Sequence, residues 1–527
     1  MSAADWTQPS PNLATLFVDR NLTEGRGGRH ALVGPKGSHT YAELAELTNR
    51  VGNALLELGV GAHERVLLAL ADSIEFVATW YAVQKIGAVT AEVYTFLQPK
   101  DYAYYLDYTE AAVVVVDGVT LERMREAATA SRARPTMLVV NPPETSLPAG
   151  EVSFESIVSR QTGELAAAPT SWNDIAIWKF TTGSTGRPKA CVHTPRSPIV
   201  SYDGYARGVL DLRADDVVLP VPKLFFGYAR DLAALFPFGV GATGVIFADR
   251  TTPELIFELI ARHRPTILVN VPTMMQAMLD HPDAATQDLS CLRLCTSAGE
   301  ALPEPLHRRW TDAFGVEVLD GIGSSEAYHI YISNRPGRVR PGSIGEAVPG
   351  YSAEAVDDDG RPSPDGQIGR LWVRGESAAL MYWNDEEASV RTFSANLVMS
   401  GDLVERDPDG YFQYRGRTDD LLKVGGIWVA PAEIERCLAD HPEVVECAVV
   451  AAESDGLTRG CAWVVLRPGS AATPEALQAF VRERLAPHKV PREVRLVLAL
   501  PRTGSGKIDR SALRRPAPEG DTGVRRA

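Results

Sequence analysis

The chain is short of three things, and each shortage removes a class of protein. No apolar run reaches the ~18 residues that a membrane-spanning helix needs. The opening Met1-Ser-Ala-Ala-Asp-Trp6 lacks the basic and apolar regions of a secretory leader, which predicts a soluble, cytoplasmic protein. Cysteine is scarce, with six residues (Cys191, Cys291, Cys295, Cys437, Cys447 and Cys461) spread along the sequence. They form no C-x-x-C pair and have no histidine cluster at ligand spacing, so buried structural thiols are expected rather than a disulfide framework or a zinc site. Charge of one sign never collects into a block: 53 Lys and Arg stand against 67 Asp and Glu, for a net charge of −14. That balance argues against nucleic acid or an anionic membrane as partner, and leaves any anionic ligand to a few local groups.

What is present is ordinary globular material, 45% hydrophobic and 23% charged, long enough at 527 residues for more than one core. Short apolar runs at 66–70, 112–116, 175–177, 217–219, 244–247, 266–269 and 292–294 alternate with helical patterns such as 253–261 and 303–314. This alternation predicts an α/β fold with largely parallel sheets covered by helices. Thr40-Tyr-Ala-Glu43 reads as a capping box, and Leu44, Leu47, Val51, Leu55 and Leu58 behind it trace one helical face. The turn-rich stretch 357–366 lies between strand-like 352–356 and 371–373, which predicts a β-rich subdomain. After about residue 419 the pattern resets to helices at 431–438 and 474–485 and strands at 444–450, 461–466 and 494–498, a small α+β module. The end of the chain from Arg515 is poor in apolar residues and reads as a frayed tail.

The strongest local signal is Thr181-Thr-Gly-Ser-Thr-Gly-Arg-Pro-Lys189, directly behind the apolar segment Ile175-Ala-Ile-Trp-Lys-Phe180. Its first six positions carry four hydroxyls and two glycines, and a cation follows. Such a loop lets backbone N–H groups approach an anion closely and adds hydroxyl donors, so it reads as a phosphate cradle. It is not a Walker A loop, because Pro188 stands five residues after Gly183 where that motif has glycine. The kinase motif set is missing as well.

With Ser297-Ala-Gly-Glu300, Gly321-Ile-Gly-Ser-Ser-Glu326, Ser400-Gly-Asp402, Arg415-Gly-Arg-Thr-Asp-Asp-Leu-Leu-Lys-Val-Gly-Gly426 and Pro501-Arg-Thr-Gly-Ser-Gly-Lys507, six motifs stand in a fixed order. In that order the chain resembles the adenylate-forming superfamily of acyl-CoA synthetases, adenylation domains and luciferases, from about Thr40 to Arg510. Lys223-Leu-Phe-Phe-Gly-Tyr228, Ala327-Tyr-His-Ile330 and Met381-Tyr-Trp-Asn384 look most like its benzoate-CoA ligase branch.

The resemblance implies a large N-terminal domain, 1–418, that binds acid and ATP, and a small mobile C-terminal domain, 419–527, hinged at Asp419. It implies catalytic roles for Thr182, Glu326 and Lys507, with Glu326 contacting magnesium and Lys507 reaching the α-phosphate and carboxylate. It implies nucleotide contacts at Thr181, Thr182, Gly183, Ser184, Thr185, Gly186, Lys189, Ser297, Ala298, Gly299, Glu300, Asp320, Gly321, Ile322 and Ser325, and at Asp402 and Arg417 for the ribose. The acyl pocket would be formed by Phe226, Gly227, Tyr228, Gly323, Tyr328, His329 and Ile330. Lys423, Gly425 and Gly426 would line the pantetheine channel. The implied substrates and cofactors are a small aromatic acid, ATP, Mg2+ and CoA, with a monomer and a homodimer both left open.

A carboxylate is a poor acyl donor, because its charge is delocalised and its leaving group would be oxide. Conversion to an acyl-adenylate, with loss of pyrophosphate, makes it open to a thiol, and the approach of an anion to a polyanion requires cations at the phosphates. The sequence leaves two acceptors open, CoA and the phosphopantetheine arm of a carrier protein, since both end in the same thiol. Retained Lys507, Glu326 and Asp402 speak against a non-catalytic binding relative. Gly227 removes a methyl from the wall between Phe226 and Tyr228, which predicts a pocket with room for a ring substituent.

Overall fold

The computed structural model describes residues 12–143, 146–182, 188–418, 422–424, 427–429, 431–454, 457–485, 489–503 and 508–514, and the side chains of 182, 422–428 and 453–459 fall outside the description. Two large sheets form the bulk of the chain. The first runs in the order Glu346–Ala347, Ile330–Ser333, Val318–Gly323, Leu294–Ser297, Ile267–Asn270, Val217–Pro220, Thr243–Val245, His30–Gly34, Gly37–Thr40. The second runs Met381–Tyr382, Pro188–His193, Ile177–Thr182, Val89–Glu92, Arg65–Ala69, Val113–Asp117, Thr136–Val140, Glu151–Ser153. Both are parallel in the middle and close with antiparallel strands at an edge.

The central strands are apolar on both faces, as Val113 to Val116 illustrate, because helices cover each side and leave no face for water. One such helix, Tyr41–Glu57, starts at a capping box in which Thr40 Oγ1 accepts from the Glu43 amide and Glu43 returns a carboxylate to the Thr40 amide. Its Leu44, Val51 and Leu55 are fully buried, each contributing on the order of 1.5–3 kcal/mol by leaving water. Leu47 and Leu58, on the same expected stripe, are only partly buried at its rim.

A third, antiparallel sheet is built from Ser352–Val356, Ile368–Arg374, Leu397–Arg406, Phe393–Ser394 and Phe412–Arg417, so the expected change to β-rich structure is found. Beyond it, Val444–Ser454, Leu457–Leu466 and Glu493–Val497 form a separate three-stranded sheet. Helices Pro431–Ala439 and Pro474–Arg484 cover it through a core of its own, including Ile434, Leu438, Val449, Val464, Leu477 and Val481. Among the described residues no helix is long and apolar enough to cross a membrane. All six cysteines are free. The tail expected to fray from Arg515 lies outside the described residues.

One boundary differs from expectation in a useful way. The strand expected at 175–177 begins at Ile177 and continues to Thr182, pairing Thr181 with Lys189 and Thr182 with Pro188. The apolar run reports which residues are buried, whereas the ladder follows backbone pairing through the β-branched threonines. Thr181, Thr182, Pro188 and Lys189 therefore lie on two paired antiparallel strands near the edge of a mainly parallel sheet.

Candidate active site

The carboxyl ends of the first sheet's parallel strands supply one wall, the place where open α/β sheets bind ligands. Ser297 ends its strand opposite Asp320 in the neighbouring one, and both are buried. Burial pushes the Asp320 carboxyl well above the usual carboxylate range, and its Oδ1 has no hydrogen-bond partner among the described residues. Ser297 Oγ is likewise buried and unpartnered. Two such atoms on adjacent strands cost stability unless a ligand with matching polar groups satisfies them. Next to Ser297 come Ala298 and Gly299, and then Glu300, whose Oε2 accepts from the amide (3.0 Å) and hydroxyl (2.7 Å) of Thr273.

The turn from Ser324 to His329 carries the second group. His193 is fully buried and holds this turn, its Nε2 donating to the Ser325 carbonyl at 2.7 Å while Nδ1 accepts from Ser197 Oγ at 2.9 Å. Burial, reinforced by Lys179 nearby, lowers its pKa to about 3, so the ring is neutral and acts as a strut. Glu326 receives a 2.7 Å hydrogen bond on Oε1 from Tyr382 Oη, and its Oε2 makes none among the described residues. Tyr382 lies on the short strand Met381–Tyr382, which returns from far along the sequence to pair with Pro188–His193. Its partner there, Cys191, is fully buried, and burial and then the Glu326 carboxylate push its thiol well above the ordinary range. Lys189 on the same strand pairs with Asp385 at 2.7 Å.

Asp402 and Arg417 face each other across two antiparallel strands, the guanidinium donating to Asp402 Oδ1 at 3.0 Å and Ser400 donating to Oδ2 at 2.6 Å. Tyr331 is buried, which raises its phenol, and Asp402 and then Glu326 raise it further. Glu326 lies on the turn 324–329, while Asp402 and Arg417 form an ion pair on neighbouring strands of the third sheet.

The third group is aromatic. Phe226 precedes helix Gly227–Ala234, with its ring 5.0 Å from Tyr94 and 4.8 Å from Phe225. Tyr228 reaches Thr296 Oγ1 at 2.6 Å. His329 is buried among Tyr205, Tyr228 and Phe236, with ring centroids 5.0–5.8 Å away. Burial holds its pKa at about 3, its Nε2 lies 3.4 Å from the Tyr228 carbonyl, and its Nδ1 has no partner among the described residues. Gly323 pairs with Ile330 at a register shift, and a Cβ there would lie 2.6 Å from the His329 carbonyl oxygen, so the close backbone approach requires glycine.

The room expected beside Gly227 is occupied. A Cβ at this position would lie 2.5 Å from Lys179 Nζ and 2.6 Å from its Cε. Lys179 comes from the strand leading into the hydroxyl-rich loop, and its ammonium donates to Asp231 Oδ2 at 2.9 Å and to the Tyr328 carbonyl at 2.6 Å. Tyr328, at φ 76° in the left-handed region, places its ring 3.6 Å from the same ammonium and its hydroxyl 3.2 Å from Asp231 Oδ1. Arg230 completes the cluster by donating to Asp231 Oδ1 and to Glu92, which also accepts from Trp80 Nε1 at 2.6 Å. The phenol of Tyr328, expected at the acyl pocket, points into this buried cluster.

Sequence reasoning gave no role to Tyr382, His193, Lys179, Asp231, Glu92 or Trp80. Lys179 was the one with a visible signal, a lone cation within an apolar strand. Of the expected site residues, Gly183, Ser184, Thr185, Gly186, Asp419, Gly425, Gly426 and Lys507, with the side chains of Thr182 and Lys423, lie outside the described residues.

The AMP-binding enzyme family model matches residues 19–383, and the AMP-binding enzyme C-terminal domain matches residues 433–507. A benzoate–CoA ligase of Thauera aromatica is 41% identical over 98% of this chain and 99% of its own length. A 4-hydroxybenzoate–CoA/benzoate–CoA ligase of Rhodopseudomonas palustris is 38% identical over 95% of this chain and 94% of its own. Among solved structures, a benzoate CoA ligase from Burkholderia xenovorans LB400 superposes with a TM-score of 0.88 at 38% identity, covering 96% of this chain and 100% of that one. An anthranilate CoA ligase in complex with anthranoyl-AMP gives 0.90 at 37% identity, covering 96% and 97%. The chain belongs to the AMP-binding, adenylate-forming enzyme family, on the branch that holds the benzoate–CoA ligases.

Proposed function

We propose that the protein uses ATP to convert a small aromatic carboxylic acid to its acyl-adenylate and passes the acyl group to the thiol of CoA, releasing pyrophosphate and then AMP. The observation that carries this reading is end-to-end similarity to relatives named for benzoate, 4-hydroxybenzoate and anthranilate, joined to the aromatic packing of Tyr228 with His329 and of Phe226 with Tyr94 and Phe225. A flat acid suits such aromatic surroundings better than a long aliphatic chain.

In this reading the unpartnered Ser297 and Asp320 face the adenine, and Asp402, oriented by Ser400 and Arg417, accepts from the ribose hydroxyls. Glu326 fits a magnesium ligand, since one carboxylate oxygen is steadied by Tyr382 and the other is open. A magnesium ion there would be held chiefly by substrate phosphates and water. Bound there, magnesium supplies charge neutralisation at the phosphates. The loop 183–187 cradles the phosphates, and Lys507 reaches the α-phosphate and acid. We place the domain boundary after residue 418 and the hinge at Asp419, so that the domain carrying Lys507 withdraws before the thiol enters with Lys423, Gly425 and Gly426 beside it. A cytoplasmic setting, where ATP and CoA are found, belongs to the same reading.

A pyrophosphate-release screen tests it. Benzoate and its hydroxy-, amino- and chloro-derivatives should turn over, with CoA completing the reaction and a phosphopantetheinylated carrier protein failing to replace it. Turnover of aliphatic acids alone would overturn the substrate class, and preference for the carrier would overturn the acceptor. Tyr382→Phe should raise the Mg2+ concentration for half-maximal release by about 10-fold or more, since a hydrogen bond to a charged group contributes on the order of 1.5–3 kcal/mol. Magnesium titration of both proteins checks this, and an unchanged midpoint would remove Tyr382 from the metal site.

A further inference from the structure

We infer that Lys179 sets the depth of the acyl pocket, acting with Gly227 as a single specificity determinant. The inference deepens the aryl-acid reading and rests on it. Gly227 opens the helix that carries Tyr228, and the place a side chain would take is filled by the ε-carbon and ammonium of Lys179, at 2.6 and 2.5 Å from that Cβ position. Lysine can stand there because its charge is met on the spot: Asp231 Oδ2 at 2.9 Å, the Tyr328 carbonyl at 2.6 Å and the face of the Tyr328 ring at 3.6 Å. These contacts commit the ammonium to the protein, so Lys179 is a wall of the pocket rather than a ligand for the acid.

The same three contacts join the elements on which the site depends. Lys179 lies on Ile177–Thr182, Asp231 on Gly227–Ala234, and Tyr328 on the turn between Glu326 and His329. Tyr328 holds a left-handed backbone conformation uncommon outside glycine, asparagine and aspartate, and Lys179 grips its carbonyl. Lys179 is therefore a positioning residue for His329 as well as the back wall behind Gly227. Asp231 cannot simply follow a displaced lysine, because Arg230 and the Tyr328 hydroxyl hold its other oxygen.

The test is a double-mutant cycle on the full-length enzyme, reading kcat/KM for benzoate and the three monochlorobenzoates, with a thermal melt of each protein. Gly227→Ala should lower kcat/KM for every acid by about 10-fold or more, because the new methyl must expel the ammonium from its contacts. Lys179→Ala should deepen the pocket and move the chlorobenzoate-to-benzoate ratio at least about 10-fold toward one chloro isomer. The double variant should lose less activity and melting temperature than the two single losses combined, since the methyl then has space. Losses that simply multiply, or Gly227→Ala at wild-type activity, would overturn the inference. Where Lys179→Ala does not fold, Lys179→Met keeps the stem but loses the grip on the Tyr328 carbonyl, so kcat/KM should fall for every acid while the chlorobenzoate-to-benzoate ratio stays at the wild-type value, and a shifted ratio would overturn the wall role. A wild-type enzyme that activates no aryl acid would defeat the substrate reading instead, while the melts would still report whether positions 179 and 227 compete for one space.

Discussion

Lys507→Ala should abolish acyl-adenylate formation while thioester formation from a synthetic acyl-adenylate proceeds at close to the wild-type rate. The proposed role explains the asymmetry. In the first half-reaction a carboxylate approaches a triphosphate, and a cation placed on the α-phosphate and the attacking oxygen stabilises charge that grows only in the transition state. Removing one such group typically costs roughly 10²–10³ in rate. In the second half-reaction a thiol attacks a neutral carbonyl after the domain carrying Lys507 has turned away, so the lysine has nothing left to stabilise. Single-turnover measurements of the two steps decide it, and equal losses in both would contradict a two-pose enzyme.

The second large effect concerns folding. Asp231 is fully buried and receives hydrogen bonds from Lys179, Arg230 and Tyr328, so Asp231→Ala leaves two buried cations with Glu92 as the remaining carboxylate partner among the described residues. Breaking a buried pair in this way costs about 3–5 kcal/mol. The urea midpoint should fall accordingly, and a midpoint unchanged from wild type would mean that water reaches the cluster. Acid should produce a smaller loss of the same origin, reversibly. Burial alone would raise the Asp231 carboxyl, but Arg230 and Lys179 outweigh it and hold the pKa at about 2, below the ordinary 3.8. A group whose pKa is depressed by folding contributes stability above its unfolded value and loses it as pH falls through the folded one, so the loss develops between about pH 4 and pH 2. In Asp231→Asn that component of the acid transition should be missing.

The organisation of the chain was open to reading because its causes are local and periodic. Val113 to Val116 are apolar on consecutive positions because both faces of their sheet are covered, and the Thr40 to Glu43 box marks a helix start within four residues. The family was legible for a different reason: Ser297 to Glu300 and Glu326 stand in contiguous motifs, so the order of the motifs along the sequence carries the membership that the family models bear out. The buried cluster was not legible. Glu92, Lys179, Asp231 and Tyr328 are far apart in sequence and meet only through the register of two sheets and a helix, and Asp231 by itself reads as an ordinary surface acid. The same holds for Tyr382, which reaches Glu326 only because a two-residue strand returns to the edge of the sheet. At Gly227 the sequence shows a missing methyl but not what stands in its place, and the reading of an enlarged pocket gives way to Lys179.

Cys191 bears on the fidelity of the proposed chemistry. A mixed anhydride of an acid with AMP acylates any thiolate it meets, and a protein nucleophile beside it would divert the acyl group into a dead-end thioester on the enzyme itself. Cys191 stands on the strand Pro188–His193, which follows the proposed phosphate loop, yet it is fully buried, and burial first and then the Glu326 carboxylate raise its thiol, so the sulfur stays protonated at neutral pH. Burial above all keeps this thiol protonated and out of reach, so that in the proposed chemistry self-acylation at Cys191 does not compete with the incoming CoA.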